Sequence, residues 1–397
     1  MKFSEEEESI LVRIEPHKSR HARCSGCGRR APVYDVSREE RRFRFIDILG
    51  LMVYFLYPMR RVKCSHCGVK TELVPWSRGH SHQTLEYMGF ISYWAKKLSW
   101  QEVAETFHTN WNRVYEAVKV AVEYGLSHRE IKGVEAIGVD EVQYKAGHHY
   151  VTLIYEISGD VKRLLSVGRD RTEETLRGCL RGLGKEFCVE VKYVCSDMWA
   201  PYLHVIKEEL SSKTLNILDR FHIVKKCNEA VDAVRKEEMR ELRREGKEDI
   251  LKETKFCFLK RPKNLTERQA LKLRDVMRYC LQSVRAYKLK ESFQLFWEYN
   301  SEYWARWYLR KWCTSAMHSR LTPMKRFVGT IRRHEELLLN WFKAKKRYSS
   351  GVVEGLNRKV NLVSRKSYGH KSYEVLEIVL YHTLGNLPEQ KFVHRFW

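Results

Sequence analysis

Two tight cysteine pairs constrain the fold of the first eighty residues more than any other feature of the chain. Each pair has the pattern C-x-x-C-G, and the two pairs are formed by Cys24, Cys27, Cys64 and Cys67. A two-residue spacer lets both thiolates reach one ion, and the glycines that follow, Gly28 and Gly68, let backbone amides turn back toward the sulfurs. The spacing therefore predicts one tetrahedral structural zinc site. A reduced or redox-active dithiol is the alternative.

The interval between the pairs indicates the kind of zinc domain. It spans 36 residues, which is long for a simple finger and favours a ribbon with an inserted pair of strands. Residues 42–45 and 53–57 are the predicted strands, so residues 1–80 are expected to form a zinc ribbon. The other seven cysteines show no paired spacing and are expected to be small core residues. They are Cys179, Cys188, Cys195, Cys227, Cys257, Cys280 and Cys313.

The positive charge of the chain is large and unevenly distributed. The 397 residues have a net charge of +23. The net charge is +6 in residues 1–80, −2 in residues 81–220, +7 in residues 221–300 and +12 in residues 301–397. A near-neutral middle flanked by basic ends favours a long anionic ligand over an ordinary solvated surface, because each neutralised phosphate releases counterions. Nucleic acid is therefore the expected partner.

Membrane association is not expected. The longest uncharged apolar run has 12 residues, against the ~20 that a membrane helix needs. The N-terminal sequence MKFSEEEESI contains no apolar segment of a secretory signal. A cytoplasmic, bacterial-type protein is expected.

Residues 81–130 have the pattern of a helix-turn-helix. Apolar residues recur at helical spacing over 85–97, and Ser99 and Glu102 form a capping box for a short helix ending near Phe107. A second, longer helix is predicted over 111–124. A short helix, a tight turn and a longer helix form the shape that places its last helix in a DNA major groove. Asn110, Asn112 and Arg113 would then contact DNA, whereas a plain helical hairpin is the alternative.

Residues 131–224 alternate strands and helices. Strands are predicted over 134–142, 149–157, 163–167, 189–195 and 215–218, with helices over 172–183 and 201–210. A three-stranded meander followed by helix, strand, helix and strand gives a mixed sheet with helices packed on it. This is the order of an RNase H-like fold.

Two carboxylates stand at strand ends in this layout. Asp140 lies within IGVDE, and Asp197 directly follows the strand VKYVCS. A buried carboxylate there is costly unless a cation or hydrogen bonds compensate. If the first and fourth strands are neighbours, both side chains open onto the same edge of the sheet. The alternative, a role as a turn or helix cap, is stronger for Asp197, which precedes the helix start MWAPY.

A third acidic residue follows a long helical stretch. Residues 225–345 are predicted to be an all-helical basic insertion, and residues 346–397 are predicted to supply the C-terminal helices of the catalytic core. Glu354 is the only acid between Glu336 and Glu374. It is either a third metal ligand or the partner of a neighbouring cation. Aromatic residues of the insertion are predicted mainly as core at their helical spacing, with stacking on unpaired bases as the alternative. They are Phe296, Trp297, Trp304, Trp307, Trp312 and Trp341.

Taken together, the motifs resemble one family over almost the whole chain. The two C-x-x-C-G knuckles, the helix-turn-helix pattern, IGVDE, CSDMWAPY, LDRFHIV and VVEGLNRKV occur in that order. This set resembles the DDE transposases of the ISL-three (ISL3) insertion-sequence family. The resemblance implies a multidomain fold: a zinc ribbon, a helix-turn-helix and an RNase H-like mixed sheet interrupted by a large all-α insertion.

The resemblance also implies the catalytic residues and their metal. The family's catalytic triad corresponds to Asp140, Asp197 and Glu354, which would hold two Mg²⁺ or Mn²⁺ ions. Such ions lie roughly 3.5–4 Å apart and prefer oxygen ligands. Asp219 and His222 match the family's D-x-x-H signature, with Asp219 as a reserve metal ligand, and Trp199 belongs to the same motif set.

Double-stranded DNA is the implied partner. The ribbon and the helix-turn-helix would bind the terminal inverted repeats, and basic residues near the C-terminus would hold inverted-repeat and target DNA. These basic residues are Lys345, Lys346, Arg347, Arg358, Lys359, Arg365 and Lys366.

The implied activity is metal-dependent strand cleavage followed by strand transfer. Bringing two ends together implies at least a homodimer, and the DNA substrate implies association with the nucleoid. Two alternatives remain: an RNase H-like nuclease that never joins strands, and a non-catalytic zinc-ribbon and helix-turn-helix regulator.

Overall fold

A long antiparallel hairpin carries the second cysteine pair and dominates the N-terminal region. The computed structural model describes residues 2–4, 8–16, 21–247, 250–279, 281–349, 351–366 and 372–390. The hairpin strands pair from Val33↔Val62 to Ile48↔Leu51, with register shifts along the way. They include both predicted strands and extend well beyond them, through the charged stretch SREERR of the first hairpin strand.

Five strands form the N-terminal mixed sheet. In chain order they are β1 (Lys2–Ser4), β2 (Ser9–Arg13), β3 (Val33–Ile48), β4 (Leu51–Cys64) and β5 (Gly68–Thr71). The sheet order is β1-β2-β4-β3, and β5 pairs with β4. Only the β2–β4 pairing is parallel. The hairpin ends at Cys64, so β4 and β5 place the second cysteine pair in the turn between them.

Three helices follow the sheet, near the positions predicted from the sequence. They are α1 (Leu85–Ala95), α2 (Trp100–Thr106) and α3 (Trp111–His128). Ser99 and Glu102 form the predicted capping box at the start of α2. Asn110 caps α3, because its side chain accepts a hydrogen bond from the backbone N–H of Arg113 at 3.0 Å. The last long helix of the chain, α15 (Tyr373–Leu384), packs on α3.

A second mixed sheet has the predicted meander followed by two parallel strands. Its strands are β6 (Ala136–Lys145), β7 (His149–Glu156), β8 (Arg163–Arg169), β9 (Tyr193–Ser196) and β10 (Leu215–Leu218). The sheet order is β10-β9-β6-β7-β8. The condition set for the two carboxylates is met, because the first and fourth strands are neighbours. They are parallel, with Ala136 opposite Tyr193 and Gly138 opposite Cys195.

Three helices accompany this sheet, and one was missed from the sequence. They are α4 (Glu173–Leu183), α5 (Lys185–Glu190) and α6 (Ala200–Glu209). The predicted strand over 189–195 is wrong in its first residues, because α5 continues to Glu190 and β9 begins at Tyr193. Val189 is 70% exposed, whereas Phe187 and Cys188 of the same helix are buried. The β-branched residues resemble a strand, but the burial of one helical face decides the conformation.

The predicted all-helical insertion follows β10. Its helices are α7 (Arg220–Arg244), α8 (Lys255–Leu259), α9 (Glu267–Val276), α10 (Gln282–Gln294), α11 (Glu302–His318), α12 (Thr322–Arg333) and α13 (Glu335–Lys343). Short 3-10 turns lie at Pro262–Asn264 and Leu295–Glu298. Glu238 of α7 accepts backbone hydrogen bonds from Gln282 and Ser283, at 2.6 and 2.8 Å, and so caps α10. The insertion also covers the edge strand, because Asn340 donates to the carbonyl of Asn216 on β10 at 2.8 Å.

The structure separates the six aromatic residues of the insertion into two groups. Phe296, Trp297 and Trp312 belong to its buried core, and Trp341 packs against that core. Trp304 and Trp307 on α11 are 54% and 45% exposed. The expected core role is therefore right for the first group and wrong for these two. The described cysteines outside the two pairs are all buried, as predicted, and Cys280 lies outside the described residues.

Helix α14 (Gly351–Lys366) packs against β6 because a glycine leaves room for it. A Cβ at Gly138 would collide with the side chain of Val353. Glycine in IGVDE therefore lets the helix that carries Glu354 approach the strand that carries Asp140.

The described residues form two compact units. The first unit comprises residues 1–130 and 362–397, and the second comprises residues 131–361. The predicted division into five segments stays a prediction. Among the described residues, no helix has both the length and the apolar character needed to cross a bilayer.

Candidate active site and metal centre

The four paired cysteines converge in the first unit. One ligand atom from each of Cys24, Cys27, Cys64 and Cys67 lies within 4.8 Å of all the others. Sγ of Cys27 lies 3.6 Å from Sγ of Cys64. Zn–S bonds of about 2.3 Å in a tetrahedron place two sulfurs about 3.8 Å apart, so the thiols fit a zinc ion.

Backbone groups around the cysteines also favour thiolates. The amide of Gly26 donates to Sγ of Cys24 at 3.4 Å. The amides of His66 and Cys67 lower the pKa of the Cys64 thiol to about 6. Gly28 and Gly68 have φ angles of +70° and +72°, a conformation that residues with a Cβ rarely adopt. The glycine after each pair is thus required by the turn, and the cluster supports a structural zinc site.

Three aspartates lie at the same level on three adjacent parallel strands of the second unit, Asp140 within its strand and the other two directly after theirs. Asp140 on β6 and Asp197 after β9 each lie two residues beyond the paired Gly138 and Cys195. Asp219 directly follows β10, and its amide donates to the carbonyl of Ser196 at 2.9 Å. Parallel strands therefore bring the three carboxylates to one edge of the sheet, as the sequence predicted for the first two.

A role as a helix cap, the alternative to metal binding, applies to Asp219 but not to Asp197. Asp219 caps α7, since its Oδ1 accepts from the amide of Phe221 at 2.7 Å. Asp197 does not cap α6, whose first turn has no side-chain cap. It accepts instead from the amide of its neighbour Met198 at 2.5 Å.

His222 lies among the carboxylates. Its Nδ1 lies 3.1 Å from Oδ1 of Asp197 and 3.8 Å from Oδ2 of Asp219. The contact with Asp197 raises the pKa of His222 above its ordinary value, despite partial burial. Burial by itself would raise the pKa of Asp197, but His222 holds it below its ordinary value. The contact thus favours the protonated imidazole and the charged carboxylate together.

Asp140 is held in place by a residue that sequence analysis did not single out. Asn357 donates through Nδ2 to Oδ2 of Asp140 at 2.6 Å. The hydroxyl of Tyr155, on β7, donates to Oδ1 of Asn357 at 2.8 Å. The other oxygen of Asp140 accepts from the amide of Glu141 at 2.9 Å. The signal was present in the motif EGLN, three residues after Glu354, but its partner could not be known without the fold.

The electrostatics of Asp140 favour a bound cation. Burial raises its pKa above the ordinary value, and the nearby charge of Asp219 adds to that effect. A buried carboxylate next to other carboxylates is stabilised in its charged form by a divalent ion. The oxygen donors at this edge therefore suit Mg²⁺ or Mn²⁺.

Glu354 faces the same region but stands apart from the aspartates. It lies in the first turn of α14 and lines one cleft with Asp219. Its Oε1 accepts from Arg358 at 2.6 Å, and its side chain is 49% exposed. Among the described residues, the four cysteines are the only metal-ligating group close enough to share one ion. The structure thus places Glu354 beside the cleft without joining it to the aspartates as a finished ligand set.

Glu141 is a second residue that sequence analysis did not single out. Its Oε1 lies 2.8 Å from Nη2 of Arg171. Burial raises the pKa of Glu141 to about 7, although Arg171 opposes that shift. The guanidinium of Arg171 also lies over the ring of Trp199, 4.2 Å from its centroid. Through Arg171, Trp199, which was predicted as a supporting residue, is connected to Glu141, the residue after Asp140 on β6.

The predicted DNA-contact residues have mixed environments. Asn112, Lys345, Arg347, Lys359 and Arg365 are exposed, and the side chain of Lys366 lies outside the described residues. Asn110 caps a helix, and Arg358 pairs with Glu354. Lys346 donates to Oδ1 of Asn300 at 3.0 Å and lies over the ring of Trp341.

Comparisons with known proteins identify the class of protein. A family model described as transposase, DDE_Tnp_ISL3, matches residues 137–380. A second model, described as the zinc-finger of transposase IS204/IS1001/IS1096/IS1165, matches residues 20–67. The first match covers more than half of the chain and contains all three candidate catalytic residues. The chain belongs to the ISL3 family of insertion-sequence transposases.

Two curated relatives that match this chain over most of their length are also described as insertion-sequence transposases. The chain is 26% identical, over 96% of its length and 89% of the relative's, to the transposase for insertion sequence element IS1557 of Mycobacterium tuberculosis. It is 25% identical to the transposase for insertion sequence element IS1001 of Bordetella parapertussis, over 88% of this chain and 86% of that protein. The resemblance inferred from the motifs is confirmed.

Proposed function

We propose that the chain cuts the ends of its own insertion sequence and joins them to target DNA, with Asp140, Asp197 and Glu354 as catalytic residues. Membership in a transposase family implies an enzyme that cleaves and transfers nucleic acid, with DNA as its partner. The residues and the chemistry are the further step proposed here.

One observation carries the proposal. Three aspartates lie side by side on three adjacent parallel strands, Asp140 within β6 and the others directly after β9 and β10, and Asn357 ties Asp140 to the helix that bears Glu354. Sequence positions more than 200 residues apart are thereby linked at one sheet edge. Asp140 and Asp197 would hold the metal ions from the sheet, Glu354 would hold them from α14, and Asp219 is the reserve ligand.

The proposed reaction has two phosphoryl-transfer steps. In the first, the oxygen of water forms a bond to phosphorus and the bond to the 3′ oxygen breaks, which leaves a 3′-OH and a 5′-phosphate. In the second, that 3′-OH attacks a target phosphodiester and displaces the target's 3′ oxygen, so no covalent enzyme intermediate forms. Two Mg²⁺ or Mn²⁺ ions would activate the nucleophile and stabilise the leaving oxygen. His222 positions Asp197, and Asn357 positions Asp140.

The rest of the chain is proposed to handle DNA. The order β10-β9-β6-β7-β8, with its helices, supports an RNase H-like core interrupted by the helical insertion. The zinc ribbon of residues 1–80 and a helix-turn-helix in residues 81–130 would bind the terminal inverted repeats. Residues 131–224 and 346–397 would supply the core around the insertion at 225–345. The exposed basic residues from Lys345 to Arg365 support a clamp on DNA phosphates.

The proposal includes an assembly. Two ends must be held together for joining, so a homodimer or a larger complex would be the active form, and it would work at the nucleoid.

A strand-transfer assay tests the function against both alternatives. Purified protein is incubated with labelled element ends, a target plasmid and Mg²⁺, and nicked and joined products are separated on a gel. Joined products that require each of the three carboxylates support the proposal. Nicked ends without joined products would indicate a nuclease, and binding without any nicking would indicate a regulator.

A further inference from the structure

A cleft beside the candidate active site has a cationic wall. Its volume is about 600 Å³, and it lies wholly within the second unit. Asp219 and Glu354 line one part of it. The rest of the charged lining is positive and consists of Arg220, Lys260, Arg261 and Lys346. The positive residues come from α7, the segment after α8 and the turn after α13, so the fold gathers them from distant parts of the chain.

These cations have no carboxylate within ion-pair distance among the described residues. Lys346 donates to the carbonyls of Trp297 and Glu298 and to the amide oxygen of Asn300. Lys260 donates to the amide oxygen of Gln269 at 3.2 Å. All of these acceptors are neutral. Within the described part of the chain, neither Arg220 nor Arg261 forms an ion pair with a carboxylate.

Arg220 is poised for an anion. Its guanidinium lies over the ring of Trp297, 5.0 Å from the centroid, which fixes the orientation of its planar fork. Its Nε is buried and has no hydrogen-bond partner among the described residues. Arg261 lines the same cleft, which places the positive charge of a second guanidinium nearby. A buried donor without an acceptor, facing a like charge, is an unfavourable arrangement that a bound anion relieves.

We propose that Arg220 and Arg261 form a subsite for a backbone phosphate of DNA, next to the phosphodiester that is cut. The inference rests on the proposed function, because that function supplies a nucleic acid to the cleft. Arg220 directly follows Asp219, and Glu354 lines the same cleft, so a phosphate held there would neighbour the reacting one. Two guanidinium forks suit phosphate oxygens, and Lys260 and Lys346 add positive potential without being free to turn. The subsite would position one strand for cleavage and carry no sequence information.

Salt dependence of DNA binding tests the subsite. A labelled duplex with the terminal repeat of the element is titrated at several NaCl concentrations, with zinc retained and Mg²⁺ omitted. Arg261→Ala removes an exposed side chain, and Arg220→Lys keeps the charge but loses the fork. Arg285→Ala is the matched control, since Arg285 is an exposed arginine of α10 outside the cleft. Arg261→Ala is expected to reduce the slope of log K against log [NaCl] by about 1, equally for repeat and random duplexes.

A neutral-phosphate scan locates the contact. Methylphosphonates are placed singly around the cleavage site, and each replaces one charged phosphate. For the wild type we expect one flanking position where the neutral phosphate weakens binding several-fold. At that position the same modification should weaken binding by Arg261→Ala and Arg220→Lys only slightly, because these variants have already lost the contact. Two results would overturn the subsite. One is a salt slope for Arg261→Ala equal to that of Arg285→Ala. The other is a loss of affinity from the neutral phosphate that adds fully to the loss from the arginine substitution at every position scanned. Because binding is measured without cleavage, a wild type that never joins ends would overturn the proposed function and leave this result intact.

Discussion

The two compact units satisfy their polar groups in different ways. In the first unit, four thiols already lie within 4.8 Å of one another, and the buried His382 is hydrogen-bonded to Ser92 at 2.9 Å. In the second unit, two of the three aspartates share one histidine, and the cations of the cleft lack carboxylate partners among the described residues.

The comparison distinguishes the structural metal site of the first unit from the proposed catalytic site of the second unit, which is called the working site below. The cysteine cluster needs only an ion, because the hairpin and its turns arrange all four ligands. The carboxylate edge has its aspartates in place, but its glutamate is paired with Arg358 on the same helix. An exposed pair of this kind contributes about 0.3–0.5 kcal/mol, which metal and DNA binding can easily exceed. In the proposed function, metal ions and DNA would complete the site of the second unit.

Removing a carboxylate from the working site should have the largest effect. Each of Asp140→Ala, Asp197→Ala and Glu354→Ala is expected to lower the rate of end cleavage by at least about 10³-fold, because the metal ions lose a ligand. Binding to the element's ends should stay close to wild type, since the DNA-contacting residues are untouched. Gel assays of cleavage and fluorescence anisotropy of binding measure the two quantities.

Asp160→Ala is the matched control, because Asp160 is an exposed aspartate between β7 and β8, at the end of the sheet opposite the three aspartates. Its cleavage rate should equal that of the wild type. If a triad variant still cleaves at the wild-type rate, the substituted residue is not part of the catalytic site.

Opening the structural site should affect binding rather than chemistry. Cys24→Ser is expected to lose the bound zinc and to weaken end binding by at least about tenfold, because a structural zinc ion contributes directly to folding. Elemental analysis gives the zinc content, and anisotropy gives the affinity. Cys188→Ala, a buried cysteine outside the cluster, should retain one zinc per chain. Unchanged zinc in Cys24→Ser would count against the ribbon.

A smaller effect is expected from the residue that links the helix to the sheet. Asn357→Ala should lower cleavage by about 10–100-fold and raise the Mg²⁺ concentration needed, because the carboxylate of Asp140 loses its orienting donor. Tyr155→Phe should have a weaker effect of the same kind, since the hydroxyl fixes which way the Asn357 amide faces. Asn357→Gln, with the same amide on a longer stem, tests for partial rescue. An unchanged Mg²⁺ requirement in Asn357→Ala would limit the residue to packing.

Patterns of short range were predictable from the sequence. The C-x-x-C-G spacing gave the cysteine cluster, and the Ser99–Glu102 capping box is present at the start of α2. The succession of a meander followed by helix, strand, helix and strand was also predictable, because it depends on local patterns of apolar residues. Helix α5 was missed, since the choice between helix and strand depended on which side chains the core would bury.

Long-range contacts were not predictable. Asn357 meets Asp140 across 217 positions, and only the packing of α14 at Gly138 brings them together. The same holds for Arg220 and Trp297, whose contact depends on how the insertion folds back on α7. Motifs identified the carboxylates, but the residues that orient them became visible only in three dimensions.

Acid should weaken the first unit through His382, with the smallest of the expected effects. Burial, and then the charge of Lys96, lower the pKa of His382 to about 3. Its Nδ1 is buried without a hydrogen-bond partner, so protonation would add a donor with no acceptor. The unfolded state takes up a proton below about pH 6.5 and the folded state does not, so stability falls as the pH drops from about 6.5 toward 3.

Hydrogen exchange of α15 should show an opening free energy lower by on the order of 1–2 kcal/mol at pH 5 than at pH 7. His382→Gln, which can keep the bond to Ser92 but takes up no proton, should lose most of this dependence, whereas the exposed His318→Gln should retain it. Equal pH dependence in all three proteins would show that the first unit does not depend on this buried neutral imidazole.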